Sequence, residues 1–400
     1  MGRMRKTAVV GTLALLKHVP MRALVASGPS ALWPAASNHA VCRASASVQQ
    51  KKRKHVRGAG GLPLSTSASP SAGEEASLKE GSATAQELQE GSVKKLRELL
   101  DAAGGSAVVL TGAGMSTDSG IPDYRGPRGS YSRGHKPMTH DEFLSSESNR
   151  KRYWARSTFG WDSFSRAKPN AAHVALAELE AAGKIGGIIT QNVSLGFQNV
   201  DGLHQKAGSR EVVDLHGRND KVECMSCRTQ SSRNAYQADL ARRNAPWITK
   251  HSADLTAEIQ NKGDPSTIAP ASGNGHGGGD ARRLRADGDA DVEPGEYLND
   301  FVVPPCGRCG GILKPTVVFF GDNIPRQRVD ETYRIVDEAS LLIAAGSSLQ
   351  VYSAFRLVKR AADAGKKIAV VNLGGTRAER SDLDLLKVEA GVSSVLPRLL

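Results

Sequence analysis

The chain has 400 residues, of which 39% are hydrophobic and 24% charged, and this composition is typical of a globular protein with room for one large domain and a smaller one. The net charge of +12 suggests a nucleic-acid partner at first sight. Residues 1–73, however, contain eleven Lys and Arg and no Asp or Glu, which leaves 42 basic and 41 acidic residues elsewhere. Direct nucleic-acid binding is therefore not expected. No apolar run in the sequence is long enough to span a membrane.

The first 73 residues have the composition of an organellar transit peptide, because they are basic, free of acids and rich in Ala and Ser. We expect a protein of the mitochondrial matrix. The apolar run at 7–16 leaves a secretory signal open, the basic cluster at 51–54 leaves the nucleus open, and a plastid is a further alternative. Cys42 lies in this leader and is expected to be lost with it.

Residues 74–92 are rich in Gly, Ser, Ala and Glu and are predicted to be a linker. A helix is predicted from about Ser92 to the glycine pair at 104–105. From there apolar runs alternate with amphipathic stretches, which predicts an α/β fold with a Rossmann-like parallel sheet covered on both faces. The predicted strands are 107–110, 187–190, 316–320, 340–345 and 367–372, and the predicted helices are 171–182, 330–339 and 354–364.

Polar or glycine-rich segments follow each predicted strand. Ligands of parallel α/β sheets bind at the carboxyl ends of the strands, so we expect these segments to form one site. They are the loop from Gly112, Gln191-Asn192, Gly321-Asp322, Gly346-Ser347-Ser348 and Asn372.

The loop that starts at Gly112 carries the strongest signal. Glycines directly after a strand let the backbone approach a phosphate, and the N–H groups that follow can bind it. The ordinary dinucleotide fingerprint G-x-G-x-x-G is nevertheless absent here, because Thr117 stands where the third glycine belongs. Ser116, Asp123 and Arg125 follow within a dozen residues.

Two C-x-x-C pairs predict a zinc site with four thiolate ligands, Cys224, Cys227, Cys306 and Cys309. Redox-active dithiols and disulfides are the alternatives. A closed four-cysteine site has no open position for catalysis, so zinc is expected to stabilise the fold. We assign residues 221–313 to a smaller zinc-binding module, and the acidic, glycine-rich segment at about 251–300 to a mobile surface insertion within it.

Several of these motifs together resemble the sirtuins, over about residues 93–397. The motifs are the loop 112–125, Thr190-Gln-Asn-Val193, Asp214-Leu-His-Gly217, the two C-x-x-C pairs, the segment 314–322 and Gly346-Ser-Ser-Leu349. Further phrases at 152–156, 206–210 and 346–353 look most like the class II, mitochondrial sirtuin-four type.

The resemblance implies an NAD-dependent protein-lysine deacylase. Some members of the family transfer ADP-ribose to proteins, and this activity is the alternative. It implies a Rossmann-like catalytic domain with a zinc module, acyl-lysine protein substrates and a monomer. The products would be free lysine, nicotinamide and O-acyl-ADP-ribose. The NAD-binding residues would be Gly112, Ala113, Gly114, Ser116, Ile121, Pro122, Asp123, Tyr124, Arg125, Tyr131, Gln191, Asn192, Asp201, Gly346, Ser347, Ser348, Asn372, Leu373, Gly374 and Val392.

His216 is the catalytic residue that the resemblance implies, as the general base on a ribose hydroxyl of NAD. An imidazole suits this step because its pKa lies near the working pH. His216 follows a strand-like segment, so its ring can project from a strand end. For His173 a packing or capping role is expected, and His204 is expected to support the site.

The chain departs from the family pattern at one place. Residues 193–199 are inserted between Asn192 and the segment from Val200 to Asp201, and they duplicate Gln-Asn-Val. Either copy can supply the nicotinamide-pocket Asn, although the strand leading into Gln191 favours the first. The insertion leaves an inactive, NAD-binding pseudoenzyme as an alternative, and a zinc-ribbon adaptor is a second alternative from another functional class.

Overall fold

The computed structural model describes residues 72–127, 129–132, 134–192, 196–197, 200–251 and 295–400. The predicted leader, apart from its last two residues, lies outside these ranges, as does most of the predicted insertion at 251–300. No helix in the described ranges is both long enough and apolar enough to cross a membrane.

A six-stranded parallel sheet forms the larger part of the molecule, in the strand order β11-β10-β9-β1-β2-β5. Its central strands are continuous apolar runs that are buried along their whole length, as the sequence predicts. The α/β prediction is confirmed. The strands are β1 (Ala107–Thr111), β2 (Ile185–Thr190), β5 (Val212–Asp214), β9 (Leu341–Ala345), β10 (Lys367–Val371) and β11 (Leu386–Val388).

Helices cover both faces of this sheet. One face packs against α1 (Ala72–Ala102), α4 (Ala171–Ala181) and α9 (Val392–Val395), and the other packs against α7 (Arg326–Glu338) and α8 (Tyr352–Asp363). Each face therefore has its own apolar core.

The first helix begins well before the predicted start near Ser92. Helix α1 starts at Ala72, so the segment 74–92, for which a linker is predicted, is helical. Its Gly and Ser residues obscured a helix that contains many Ala, Glu, Lys and Gln, all good helix formers. Among the side chains of α1 that the structure describes, which start at residue 86, Val93 is the first to be buried in the core, whereas Leu88 is 72% exposed.

The predicted strand at 316–320 is also corrected. The strand there is β8 (Leu313–Val317), and it pairs antiparallel with β6 (Gly217–Cys224) in a separate sheet, beside β7 (Gln230–Ser232). Strand β5 takes the sixth place in the parallel sheet instead. A short apolar run indicates a buried strand but not the sheet that the strand joins. The assignment of this run to the parallel sheet was wrong for that reason.

The smaller module is built from two parts of the chain. Beside the β7-β6-β8 sheet it contains α6 (Arg233–Arg243), and α3 (Glu147–Ser165) packs on it from outside the predicted limits of 221–313. Aromatic side chains of α2 (His140–Ser145) and α3 fill the core between them, with Phe143 edge-on to Tyr153 at 5.4 Å between ring centroids. At the end of the predicted insertion, Gly295–Asp300 is a 3-10 helix with Leu298 buried in this core.

Candidate active site and metal centre

The candidate site lies where the order in which the chain adds strands to the parallel sheet reverses. Strands β1 and β9 are neighbours, and the chain proceeds from β1 to β2 and β5 on one side and from β9 to β10 and β11 on the other. The two loops that leave β1 and β9 are joined by hydrogen bonds from Gly112 N to Ala345 O (3.0 Å) and from Gly114 N to Gly346 O (2.9 Å). A crevice at such a switch point is the general ligand site of this architecture.

Glycine is required where these two loops touch. A Cβ on Gly114 would lie 2.9 Å from the carbonyl oxygen of Gly346, and one on Gly346 would lie 2.5 Å from Met115 N. Gly346 also has a φ of +61°, a conformation that favours glycine. The sequence suggested that the glycines of the first loop make room for a phosphate. In the structure they make room for the second loop.

A cavity of about 960 Å³ opens at this point, at the upper end of the range for cofactor sites. All but three of the predicted NAD-binding residues line it. Of the described residues, Gly112 and Val392 do not, because Gly112 lies beneath the loop and Val392 is buried in the core. The side chain of Asp201 lies outside the description. The predicted residues that do line it are Ala113, Gly114, Ser116, Ile121, Pro122, Asp123, Tyr124, Arg125, Tyr131, Gln191, Asn192, Gly346, Ser347, Ser348, Asn372, Leu373 and Gly374.

The first Gln-Asn copy, Gln191-Asn192, forms hydrogen bonds with the loops that follow β1 and β9. Gln191 donates from Nε2 to the Ser347 hydroxyl (2.8 Å) and to the Thr111 carbonyl (3.2 Å). Asn192 donates from Nδ2 to the Ser116 hydroxyl (3.0 Å). These contacts hold the first copy at the cavity, as the strand leading into it suggested. The second copy, at 198–200, is described only at Val200, in a short antiparallel pair of β3 (Gly196–Phe197) and β4 (Val200–Asp201).

His216 lies between the two sheets, after β5 and before β6, and it lines the cavity. Its Nδ1 lies 2.9 Å from the carbonyl oxygen of Gln191, and its Nε2 lies 2.8 Å from the Ser353 hydroxyl. A carbonyl oxygen can only accept, so Nδ1 carries the proton in the neutral ring and Nε2 is the basic nitrogen. Burial lowers the pKa of His216, the bond to Gln191 opposes this, and the charges of Arg328 and Arg356 lower it further.

The other two histidines that the sequence singles out, His173 and His204, form a buried pair that also lines the cavity, with ring centroids 4.9 Å apart. His173 completes the capping box of α4 with Asn170, which confirms the capping role, and burial lowers its pKa to about 4. His204, on α5 (Gly202–Ala207), has its Nε2 3.1 Å from the Thr111 hydroxyl, which supports the end of β1. Burial and the neighbouring His173 hold the pKa of His204 well below its usual value.

Gly321 and Asp322 reach the same cavity from the smaller module. Lys314, which is 5% exposed, donates to the carboxylate of Asp322 (3.0 Å) and to the Val317 carbonyl (2.7 Å). Burial would raise the pKa of Asp322, but the hydrogen bond and charge of Lys314 outweigh it, and the pKa is lowered. This ion pair fixes the loop that carries Phe319 and Phe320 along the cavity wall.

The four cysteines come together at the other end of the smaller module. All four Sγ atoms lie within 4.8 Å of one another, with Cys224 and Cys309 at 3.4 Å and Cys227 and Cys306 at 3.8 Å. A Zn–S distance of about 2.3 Å places the sulfurs of a tetrahedron about 3.8 Å apart, so this set fits zinc. Hydrogen bonds with Thr229 lower the pKa of Cys227 to about 6, whereas the neighbouring cysteine sulfurs raise the pKa of Cys309.

Comparison with known proteins agrees with this geometry. The Sir2 family profile matches residues 112–353. The chain belongs to the Sir2 family. It is 46% identical to NAD-dependent protein deacetylase 2 of Bradyrhizobium diazoefficiens over 73% of this chain and 92% of that protein. It is 43% identical to NAD-dependent protein deacylase SIR4 of Batrachochytrium dendrobatidis over 77% of this chain and 93% of that protein.

Solved Sir2 structures have the same fold. One in complex with a p53 peptide and NAD⁺ is 30% identical to this chain, with a TM-score of 0.51 over 76% of this chain and 96% of the other. A second, described as the structural basis for the mechanism and regulation of Sir2 enzymes, is 28% identical, with a TM-score of 0.53 over 78% of this chain and 96% of the other. The prediction of a sirtuin is thereby confirmed.

In this sirtuin several residues that line the cavity were not predicted as site residues, although some belong to the phrases that resemble the sirtuin-four type. Tyr153, Arg156 and Phe164 of α3 are among them, and so is Lys206, which donates to the carbonyls of Ser165 and Ala167 at the end of that helix. The spacing of three between Tyr153 and Arg156 places both on one helix face, which is the signal available in the sequence. Only the folded position of α3 shows that this face meets the cavity.

Proposed function

We propose that this sirtuin is an NAD-dependent protein-lysine deacylase. The observation that carries the proposal is the His216 ring, held at a switch-point cavity with Nδ1 bonded to the Gln191 carbonyl and Nε2 free of a proton. The names of its Sir2 relatives, and the NAD⁺ and peptide in the related structure, support the same activity.

NAD fits the residues that line the cavity. The two loop contacts at Gly112 and Gly114 close the floor of the crevice, and the hydroxyls of Ser347 and Ser348 and the amide of Asn372 offer polar partners for ribose and phosphate. Arg125, which lies over the Tyr131 ring at 4.9 Å, offers a cation for the phosphates. When bound, NAD supplies the ribose carbon to which the acyl oxygen is transferred with loss of nicotinamide.

The chain's own residues then have three tasks. Gln191 and Asn192 hold the β1 and β9 loops in place, and His216 accepts a proton from a ribose hydroxyl at Nε2. The wall at 317–320 and the segment at 349–351 border the cavity, and Phe320 and Tyr352 are exposed. An extended acyl-lysine peptide is proposed to lie between these two edges, held by main-chain hydrogen bonds.

Finer assignments belong to this proposal as well. We assign the chain to the class II, mitochondrial sirtuin-four type, with residues 1–73 as a transit peptide, 93–397 as the catalytic domain and the mitochondrial matrix as its location. The acid-free composition of the leader supports this location. Zinc at the four cysteines is proposed to stabilise the smaller module, and the working unit is proposed to be a monomer that does not bind nucleic acid directly.

A panel of acyl-lysine peptides tests the activity. We expect mass spectrometry to show free lysine on at least one peptide, together with nicotinamide, only when NAD is present. Adenylate-labelled NAD run beside the panel distinguishes the related chemistry of the family. If the label becomes attached to protein while every acyl-lysine stays unchanged, the activity is ADP-ribosyl transfer and not deacylation.

A further inference from the structure

The Ser353 hydroxyl lies 2.8 Å from Nε2 of His216, on the side of the ring that faces away from Gln191. Both residues line the cavity. Ser353 is the second residue of α8, which starts at Tyr352 after the loop from β9. The catalytic histidine is thus connected to the opposite wall of the site.

The direction of these two hydrogen bonds follows from the acceptors. The Gln191 carbonyl has no proton to give, so Nδ1 donates to it and the lone pair of the neutral ring lies on Nε2. Ser353 must then donate its hydroxyl proton to that lone pair. Because Nε2 has only one lone pair, a substrate hydroxyl cannot bond to it while Ser353 does.

The surroundings of Ser353 favour negative charge on its oxygen. The first turn of α8 contributes the positive end of a helix, which stabilises an anion next to it. The charged groups that act on the His216 ring are Arg328 of α7 and Arg356 of α8, both cationic. A hydroxyl here can give up its proton to Nε2 as it receives another.

We propose that Ser353 is a catalytic residue that relays the proton from the ribose hydroxyl of the substrate to His216, an inference that rests on the proposed deacylase function. The substrate O–H bond breaks as that proton bonds to Ser353 Oγ, and the original Ser353 O–H bond breaks as its proton bonds to Nε2. The serine ends the step as a hydroxyl, the histidine as imidazolium, and the substrate oxygen as the nucleophile. No other reactant is required.

Kinetics of the full-length chain with NAD and an acyl-lysine peptide tests this relay. Ser353→Ala is expected to lower kcat roughly 10- to 100-fold, at or below the low end of what a positioned proton-transfer group contributes, with KM values little changed. Ser353→Thr keeps the hydroxyl and is expected to restore most of kcat. Ser381→Ala, which removes a surface hydroxyl bonded to the Arg377 carbonyl, is the matched control.

The double variant His216→Ala/Ser353→Ala distinguishes a relay from a serine with a purely structural role. If the two residues act as one relay, adding Ser353→Ala to His216→Ala lowers kcat no further. Rates in mixtures of H₂O and D₂O should also fall along a curve for the wild type, as two protons move, and along a straight line for Ser353→Ala.

The outcomes separate the two proposals. A wild type that is active, with Ser353→Ala equally active or faster, overturns the relay and leaves the deacylase intact, because the substrate then displaces the serine and reaches Nε2 directly. The relay is also overturned if Ser353→Ala lowers kcat by the same factor in the His216→Ala variant as in the wild type. A wild type that binds NAD but deacylates no peptide overturns both.

Discussion

Both nitrogens of His216 are engaged in hydrogen bonds, and this determines what the ring can do. The Gln191 carbonyl selects the tautomer, so the basic nitrogen faces Ser353 and the cavity. Burial, opposed by that carbonyl and reinforced by Arg328 and Arg356, lowers the pKa of the ring from its usual value. The ring is therefore neutral, and able to accept a proton, at neutral pH.

The lowered pKa of His216 predicts the acid limb of the pH profile. A base with a lowered pKa stays deprotonated to lower pH, so kcat/KM should hold as pH falls from about 8 to about 6.5, the ordinary pKa of an imidazole, and should decline only at lower pH. The measurement is kcat/KM for deacylation across this range at saturating NAD. A decline centred above pH 6.5 would contradict the electrostatic account of the site.

The two Asn residues of the duplicated motif provide a paired test at single positions. Asn192→Ala should lower deacylation at least tenfold, since it removes the bond to Ser116 that holds the first loop, a loss of about 1.4 kcal/mol or more from the activation step. Asn199→Ala, the matched change in the second copy, should leave the rate within about threefold. The reverse result would assign the site to the second copy.

At the scale of elements, the sequence was sufficient to predict the structure where a pattern is compatible with only one type of element. The runs at β1, β9 and β10 are buried strands of a parallel sheet, and the polar residues after them meet at one cavity, because parallel strands share one carboxyl edge. It was insufficient at β8, whose partner strand β6 is almost a hundred residues earlier in the chain. Pairing over such a distance leaves no local mark in the sequence.

The insertion at 193–199 is an element whose effect can be measured directly. With it present, Gln191 and Asn192 already contact Ser347 and Ser116. We therefore expect a variant that lacks 193–199 to deacylate within about threefold of the full chain, a change of about 0.6 kcal/mol in the barrier. A gain of a hundredfold or more on deletion would show instead that the insertion suppresses the enzyme.

The two C-x-x-C pairs predict a structural metal. Cys306→Ser should reduce bound zinc from about one per chain to near zero, and should lower the melting temperature by about 6 °C, or ~4 kcal/mol for a chain of this size. Elemental analysis and thermal unfolding measure the two effects. Cys42→Ser, which changes a cysteine outside the C-x-x-C pairs, is the control. Equal zinc in both variants would contradict the four-thiolate site.

At the scale of the whole molecule, the charge is divided unevenly along the chain. The acid-free first 73 residues carry most of the +12, and the remainder is nearly neutral. The sequence alone could predict this division, because it needs only counting. It could not predict that the cavity wall comes from both the parallel sheet and the smaller module, since that depends on how β6 and β8 bring His216 and Asp322 to one place.

The leader predicts where the protein is located. A fluorescent protein fused to residues 1–73 should accumulate in mitochondria, because the segment is basic and free of acids. Replacing the basic cluster at 51–54 by alanine should leave that location unchanged. Nuclear accumulation that disappears with the same replacement would contradict the mitochondrial assignment.

The most direct test of the account is nicotinamide release by the wild type and by His216→Ala, each given NAD and an acylated peptide, with NAD binding measured in parallel. We predict that both proteins bind NAD, that the wild type releases one nicotinamide for each lysine it deacylates, and that His216→Ala loses this coupled turnover. If both proteins bind NAD and neither releases nicotinamide, the deacylase assignment is wrong and the chain is an NAD-binding pseudoenzyme.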